Sequence, residues 1–118
     1  LIGQARPYQL TVDTRYFSPA RQAIDDVAAG IIDVALIWGP IAGFFAKQQK
    51  VPLVVIPLLN ELAKVRLDFR VSMGVRINEP KWKRQLNDIL KRLQPKIDVI
   101  LKEYGVPLID EQGRLITD

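Results

Sequence analysis

The apolar run at residues 32–38 constrains the fold of this chain more than any other feature. Only Asp33 interrupts the run, and Gly39-Pro40 follows it directly. A short, nearly continuous apolar run is typical of a strand that is buried on both faces, as in a parallel sheet. The Gly-Pro pair ends the predicted strand and opens a helix, which we expect to continue to about Gln49.

The flanking segments repeat this alternation of strand and helix. Residues 8–12 are rich in strand formers, and Ser18-Pro19 begins a helix that Gly30 ends in a left-handed conformation. A further apolar run at residues 51–59 gives the order strand, helix, strand, helix, strand. This order predicts an α/β fold. The polar face of the first helix is expected to carry Arg21, Gln22, Asp25 and Asp26.

The second half of the chain predicts one more strand, two helices and a small hairpin. Residues 68–76 alternate apolar and polar side chains, as a half-buried strand does. Two amphipathic helices follow. We expect Pro95 to separate them and Gly105 to end the second one. A hairpin between residues 107–109 and 115–116 closes the chain.

Composition excludes most familiar catalytic chemistry. The chain has 118 residues and contains neither Cys nor His, which excludes thiol nucleophiles, thiolate metal sites, His-ligated zinc and Ser-His triads. The acidic pairs Asp25-Asp26 and Asp110-Glu111 are interpreted as solvated charge, because neither has the further ligands of a metal loop. No phosphate-binding loop is present. We therefore expect no enzymatic activity and no cofactor.

Positive charge is concentrated in one part of the chain. The net charge is +4 overall, but +7 for residues 64–102 and −3 for residues 103–118. Such a segment can attract nucleic acid, anionic lipid or an acidic protein. No nucleic-acid motif or aromatic ladder accompanies it. We favour a solvated helix face and predict no nucleic-acid partner.

Two short segments are candidates for a ligand site. In open α/β sheets, ligands bind beyond the carboxyl ends of strands, where helix N-termini present free N–H groups. A Trp at that position offers a flat apolar face, and an Arg can hold an anion by paired hydrogen bonds. The alternatives are that Trp38 covers the core and that Arg15 pairs with Asp13 at the surface. The candidate residues are Trp38, Gly39 and Pro40 with Asp13, Thr14 and Arg15.

Several motifs resemble extracellular solute-binding proteins of the type that binds polar amino acids. The first part of the resemblance lies in residues 27–42, where a helix ends in Ala-Gly, a buried strand opens with Asp, and a turn contains Pro. The second part lies in residues 72–76 and the following Glu79-Pro80. Residues 6–14 together with 38–43 are similar to one branch in particular. Those proteins are associated with quinoprotein (pyrroloquinoline quinone) methanol dehydrogenases.

The resemblance implies a two-lobed periplasmic protein of which this chain is the C-terminal half. Residues 1–60 would form part of the second lobe, residues 61–67 a hinge or crossover, and residues 68–118 a return to the first lobe. The chain begins with Leu1 and shows no signal-peptide pattern. We therefore expect a processed product or part of a longer protein, whose exposed strand edges favour a domain-swapped homodimer.

One departure from the family pattern bears on function. Amino-acid binders usually have Asp at the position of Trp38, where it pairs with the ligand ammonium, and Trp cannot supply that charge. The resemblance then implies a non-enzymatic periplasmic helper of a pyrroloquinoline-quinone-dependent methanol or alcohol dehydrogenase. The alternative is a substrate-binding receptor that delivers a small solute to an ABC permease, with lobe closure around the ligand.

Overall fold

The computed structural model describes residues 5–9, 11–59, 67–110, 112 and 114–116. Three helices form in this part of the chain: α1 (Pro19–Ala28), α2 (Gly39–Lys47) and α3 (Pro80–Glu103). The described residues up to Val55, together with Tyr104–Pro107, form one compact unit, and the described residues of 56–103 and 108–116 form a second. None of the helices in the described ranges has the length and apolar character that crossing a membrane requires.

Local capping signals place α1 where the sequence predicts it. The Ser18 hydroxyl accepts a hydrogen bond from the Arg21 N–H at 3.3 Å, and Pro19 occupies the first turn, where its missing N–H costs nothing. Gly30 follows the helix with φ of +71°, a conformation that side chains with a Cβ disfavour. The predicted start and end of this helix are confirmed.

Small side chains allow α1 and α2 to approach closely. The buried apolar residues of the described chain are few: Ala23, Ile24, Ala42 and Ala46. Polar contacts hold the edge of this pair, because the Gln49 amide donates to Asp25 Oδ1 at 2.8 Å and the Arg21 guanidinium lies 5.9 Å from the Phe45 ring centroid. α2 ends at Lys47, slightly earlier than predicted.

The segment Tyr104–Pro107 returns to α2 in the first unit. Gly105 has φ of +77°, and its backbone lies directly against that of Gly43, so that a Cβ on either glycine would meet the other's carbonyl group. Beside this contact the rings of Phe44 and Tyr104 stack with centroids 5.9 Å apart. The return therefore depends on two residues without side chains.

The predicted α/β fold is wrong. Within the described residues, no strand pairs with another, and the β structure is limited to an isolated antiparallel bridge between Ile109 and Leu115. The apolar runs at 32–38, 51–59 and 68–76 form no ladder. Apolar patterning reports which side chains avoid water, but a sheet also needs neighbouring strands to receive its N–H and C=O groups.

Pro95 does not separate two helices, as we predicted, but lies inside α3. A proline removes one backbone hydrogen bond and crowds the preceding turn, at a cost of about 3 kcal/mol. The helix continues because its flanks are long and rich in good helix formers such as Leu, Lys and Arg. The result is one amphipathic helix of 24 residues in which no described side chain is fully buried.

The predicted pairing near the end of the chain is confirmed. Besides the bridge of Ile109 with Leu115, the Ile116 N–H donates to the Leu108 carbonyl at 2.9 Å. Asp110 organises the turn between them, as described below. Two positions of the predicted turn, 111 and 113, lie outside the described residues, as does most of the predicted hinge at 61–67.

Candidate functional site

Trp38 stands at the N-terminus of α2 with its indole open to solvent. The residue is 55% exposed and its carbonyl accepts the first helical hydrogen bond, from the Ala42 N–H at 3.0 Å. Gly39 follows, and Pro107 Cγ lies 3.0 Å from the position that a Cβ on Gly39 would take. The return segment thus packs against the first turn of α2, immediately beside Trp38.

An apolar row leads to this tryptophan. Val34 and Leu36 are 82% and 84% exposed, whereas the intervening Ala35 and Ile37 are half-buried. Alternate residues of segment 34–38 therefore present an apolar surface to solvent, with Trp38 at its end. Exposed large apolar side chains in a row are typical of a surface that binds a planar or apolar group or a protein.

In the second candidate segment, Asp13–Arg15, the two charged residues form an ion pair with each other. Arg15 Nη2 lies 2.7 Å from Asp13 Oδ2, and Arg15 Nε donates to Asp13 Oδ1 at 2.9 Å. These hydrogen bonds lower the pKa of Asp13 and raise that of Arg15. The guanidinium also lies 5.5 Å from the Tyr16 ring centroid. The alternative of a surface ion pair is what the structure shows, so an anion would have to displace Asp13.

Among the described residues, no hydrogen bond, ion pair or ring contact joins the segment Asp13–Arg15 to the segment Trp38–Pro40. Thr14 is exposed in the turn between Asp13 and Arg15. Each predicted segment is therefore placed by its own local contacts.

Sequence reasoning missed a polar cluster on α1. We expected Asp26 on the solvent face, but it is 8% exposed and accepts a 2.6 Å hydrogen bond from the Tyr8 hydroxyl. Arg6 Nη1 lies 3.2 Å from the same carboxylate and its guanidinium is 5.6 Å from the Tyr8 ring centroid. The hydrogen bond to Asp26 raises the pKa of Tyr8. The spacing of three residues from the buried Ala23 was the available signal.

The chemistry of these residues suits binding. The Arg6–Tyr8–Asp26 cluster neutralises its own charge and anchors the segment before α1. Among the described residues, no group of three or more carboxylates is placed to hold a metal ion. Among the described residues, the indole of Trp38 and the apolar row before it are exposed to a partner, as are other large apolar side chains, among them those at residues 54–58 and 69–73.

Comparison with known proteins gives three relatives. The chain is 30% identical over 96 residues to Protein MoxJ of Methylorubrum extorquens, and 28% identical over 95 residues to Protein MoxJ of Paracoccus denitrificans. It is 48% identical to the periplasmic binding protein XoxJ of Methylobacterium extorquens AM1, whose crystal structure it matches with a TM-score of 0.68. No protein-family model matches the chain.

The matches cover most of this chain but less than half of each relative. They span 77% and 76% of the chain for the two MoxJ proteins and 80% for XoxJ. The chain in turn covers 32% and 34% of the MoxJ proteins and 42% of the XoxJ chain. The predicted relationship to periplasmic binding proteins is confirmed by these similarities.

Proposed function

We propose that this chain, as a relative of MoxJ and XoxJ, acts in the periplasm as a non-enzymatic binding protein that assists a pyrroloquinoline-quinone-dependent methanol or alcohol dehydrogenase. It assists by contacting the dehydrogenase or by supporting its maturation. The resemblance of residues 6–14 and 38–43 to the dehydrogenase-associated branch supports this role, as does the 48% identity to XoxJ.

The observation that carries the proposal is the exposed indole of Trp38, at a position where the family resemblance implies Asp in amino-acid binders. An ammonium ligand would lose its charge partner there, and a buried unpaired charge is costly. The apolar row of Val34, Leu36 and Trp38 instead suits a planar ligand or an apolar protein segment. Gly39 and Pro40 form the first turn of α2 directly after the tryptophan, and we propose that Asp13, Thr14 and Arg15 complete the ligand-binding lip.

Co-purification and activity reconstitution test the proposal. The full chain is mixed with the methanol dehydrogenase of the organism that makes it, and both capture and methanol-oxidation rate are measured. We expect capture of the dehydrogenase and a change in its activity or its yield of active enzyme. Trp38→Ala should weaken capture, whereas Phe69→Ala, which removes another exposed aromatic ring, should not. Absence of both capture and effect would overturn the proposal.

The alternative function is solute transport, and a second measurement tests it. Thermal unfolding of the chain is followed in the presence of a library of small solutes. A solute that raises the midpoint in a dose-dependent manner, while the dehydrogenase has no effect, would instead support a receptor for an ABC permease. We expect no such solute among polar amino acids, because Trp38 offers no carboxylate.

The proposal extends to the oligomeric state. Apolar side chains exposed at residues 34–38, 54–58 and 69–73 invite pairing with a second copy through an exchanged segment. Light scattering at rising concentration should show a dimer. A monomer at every concentration would contradict this part of the proposal.

A further inference from the structure

Residues 67–73 alternate apolar and polar side chains but form no ladder within the described part of the chain. The segment is neither helix nor turn, and its apolar side chains are exposed, Phe69 by 67% and Val71 by 87%. The backbone groups of residues 69–73 form no hydrogen bond with another described backbone group. An apolar row beside N–H and C=O groups that lack a backbone partner is a template for a further strand.

The charged residues of this segment are complementary to a second copy of the segment itself. Asp68 and Arg70 flank Phe69 in the sequence, and Arg70 forms no ion pair with a described residue. When two such segments run antiparallel about a two-fold axis at Phe69, Asp68 of each copy lies directly opposite Arg70 of the other. Opposite charges at such positions stabilise a pair of strands, and the symmetry supplies the contact twice.

The same charges disfavour the neighbouring registers. An axis at Asp68 sets two carboxylates opposite each other, and an axis at Arg70 sets two guanidinium groups opposite each other, which destabilises the pair. An axis between two residues sets apolar side chains opposite polar ones. The axis at Phe69 instead brings the two Phe69 rings together and places Leu67 beside Val71, so that both sides of the pair are matched.

The other exposed apolar segments carry no such signal. Segments 34–38 and 53–59 contain no charged residue, so charge favours no register for either, and Pro57 lacks the N–H that a ladder needs. The net charge of +4 on each copy opposes association, but salt screens exposed charges that are more than about 10 Å apart, whereas the opposed pairs are in contact.

We propose that two copies of the chain pair antiparallel through residues 67–71, with the two-fold axis at Phe69. The inference rests on the dimer of the proposed function and gives that dimer a contact segment and a register. Capture of the dehydrogenase is assigned to Trp38 and does not need this contact, so the two proposals can fail separately.

A single cysteine on the axis tests the register. The chain contains no Cys, and opposite Cα atoms of an antiparallel pair lie about 4.5–5.5 Å apart, which a disulfide can span. Under mild oxidation, Phe69→Cys should form a covalent dimer on non-reducing gels roughly tenfold faster than a cysteine that meets its copy only by collision. Val54→Cys is that control, since Val54 is 85% exposed. Equal rates for the two variants would overturn the register.

Exchange of the two charges tests the pairing independently. Asp68→Arg and Arg70→Asp each set like charges opposite each other twice per dimer, and each should weaken dimerisation roughly tenfold in analytical ultracentrifugation. The double variant restores opposite charges and should return the affinity to within about threefold of the unmodified chain. Asp68 also has an interaction within its own chain, and Arg70→Asp would not repair the loss of that interaction, so the rescue is specific to the contact between copies.

Single variants without effect, or a double variant that fails to restore the dimer, would overturn the inference. A monomer at every concentration would overturn it together with the proposed dimer, while capture of the dehydrogenase by the same sample would leave the helper role standing. Single variants that lose capture although the chain is monomeric would identify the dehydrogenase as the occupant of this segment and also overturn the inference.

Discussion

Asp26 shows what burial demands of a single charged residue. Its carboxylate is withdrawn from water, so it is stabilised by the Tyr8 hydroxyl at 2.6 Å and by Arg6 at 3.2 Å. A buried charge without a partner costs roughly several kcal/mol, whereas a buried charge that accepts hydrogen bonds is tolerated. The three residues therefore act as one unit that ties the segment before α1 to the helix.

The first prediction concerns the hydroxyl of Tyr8. Tyr8→Phe removes the hydrogen bond to Asp26 and should lower the free energy of unfolding clearly below that of the unmodified chain, since bonds to charged groups are among the stronger ones. Urea denaturation followed by circular dichroism measures the change. Tyr16→Phe is the matched control, because Tyr16 is 85% exposed, and it should change stability by less than about 0.5 kcal/mol. Equal effects of the two variants would show that the bond contributes nothing.

The second prediction concerns the contact between Gly43 and Gly105. Gly43→Ala places a methyl group where the Gly105 carbonyl lies. We therefore expect the free energy of unfolding to fall by about 1–3 kcal/mol, despite the better helix propensity of Ala. Gly74→Ala is the control, since a Cβ there meets no atom within 4 Å. Urea midpoints of the two variants compare the effects. An unchanged midpoint for Gly43→Ala would mean that α2 and the return segment do not touch.

At the scale of the elements, helix boundaries could be predicted where the signals are local. The Ser18 cap and the left-handed Gly30 each act within a turn of the chain, and both are confirmed. The prediction for Pro95 was wrong because the free-energy cost of one proline inside a helix is smaller than the combined helix propensity of the turns on either side. The return segment could not be predicted, since nothing near Gly43 in the sequence indicates Gly105 as its neighbour.

The third prediction tests the continuity of α3. Pro95→Ala restores a backbone N–H that can donate to the Lys91 carbonyl, so helix content should stay the same or rise and stability should increase by about 1–2 kcal/mol. Circular dichroism and urea denaturation measure both quantities. Lys96→Ala, a change between two good helix formers, serves as the control. A fall in helix content for Pro95→Ala would contradict a continuous helix.

The fourth prediction concerns acid and the turn before Leu115. The Arg114 N–H and side chain and the Gln112 N–H all donate to Asp110, which lowers the pKa of that carboxyl. A lowered pKa in the folded state means stabilisation that is present above the ordinary Asp pKa and disappears as the pH falls through the lowered value. Acid should therefore loosen this turn.

Amide hydrogen exchange of Ile116, whose N–H donates to Leu108, reports that loosening. Asp110→Asn should speed this exchange near neutral pH, and the difference from the unmodified chain should shrink in acid. Asp33→Asn removes an exposed carboxylate from another part of the chain and should leave Ile116 unaffected. A difference that stays constant with pH would exclude a role for the Asp110 charge.

For the whole molecule, the sequence patterns identified the family relationship better than the fold of the chain. The motifs around Trp38 resemble those of periplasmic binding proteins, but within the described residues the apolar runs form no sheet and leave Val34, Leu36 and Val54 more than four-fifths exposed. Patterning is a property of each segment, whereas a sheet needs partners. The packing of Pro107 against Gly39 likewise could not be predicted, because no local motif indicates that the two residues are neighbours.

The packing of Pro107 against Gly39 has a consequence for the order in which the molecule is made. A ribosome releases α1 and α2 long before it reaches the return segment, because synthesis proceeds from the N-terminus. The contact between the first turn of α2 and Pro107 therefore forms only after most of the remaining chain has been synthesised. Nascent chains halted after Glu103 would carry a first turn of α2 that still lacks its contact with Pro107.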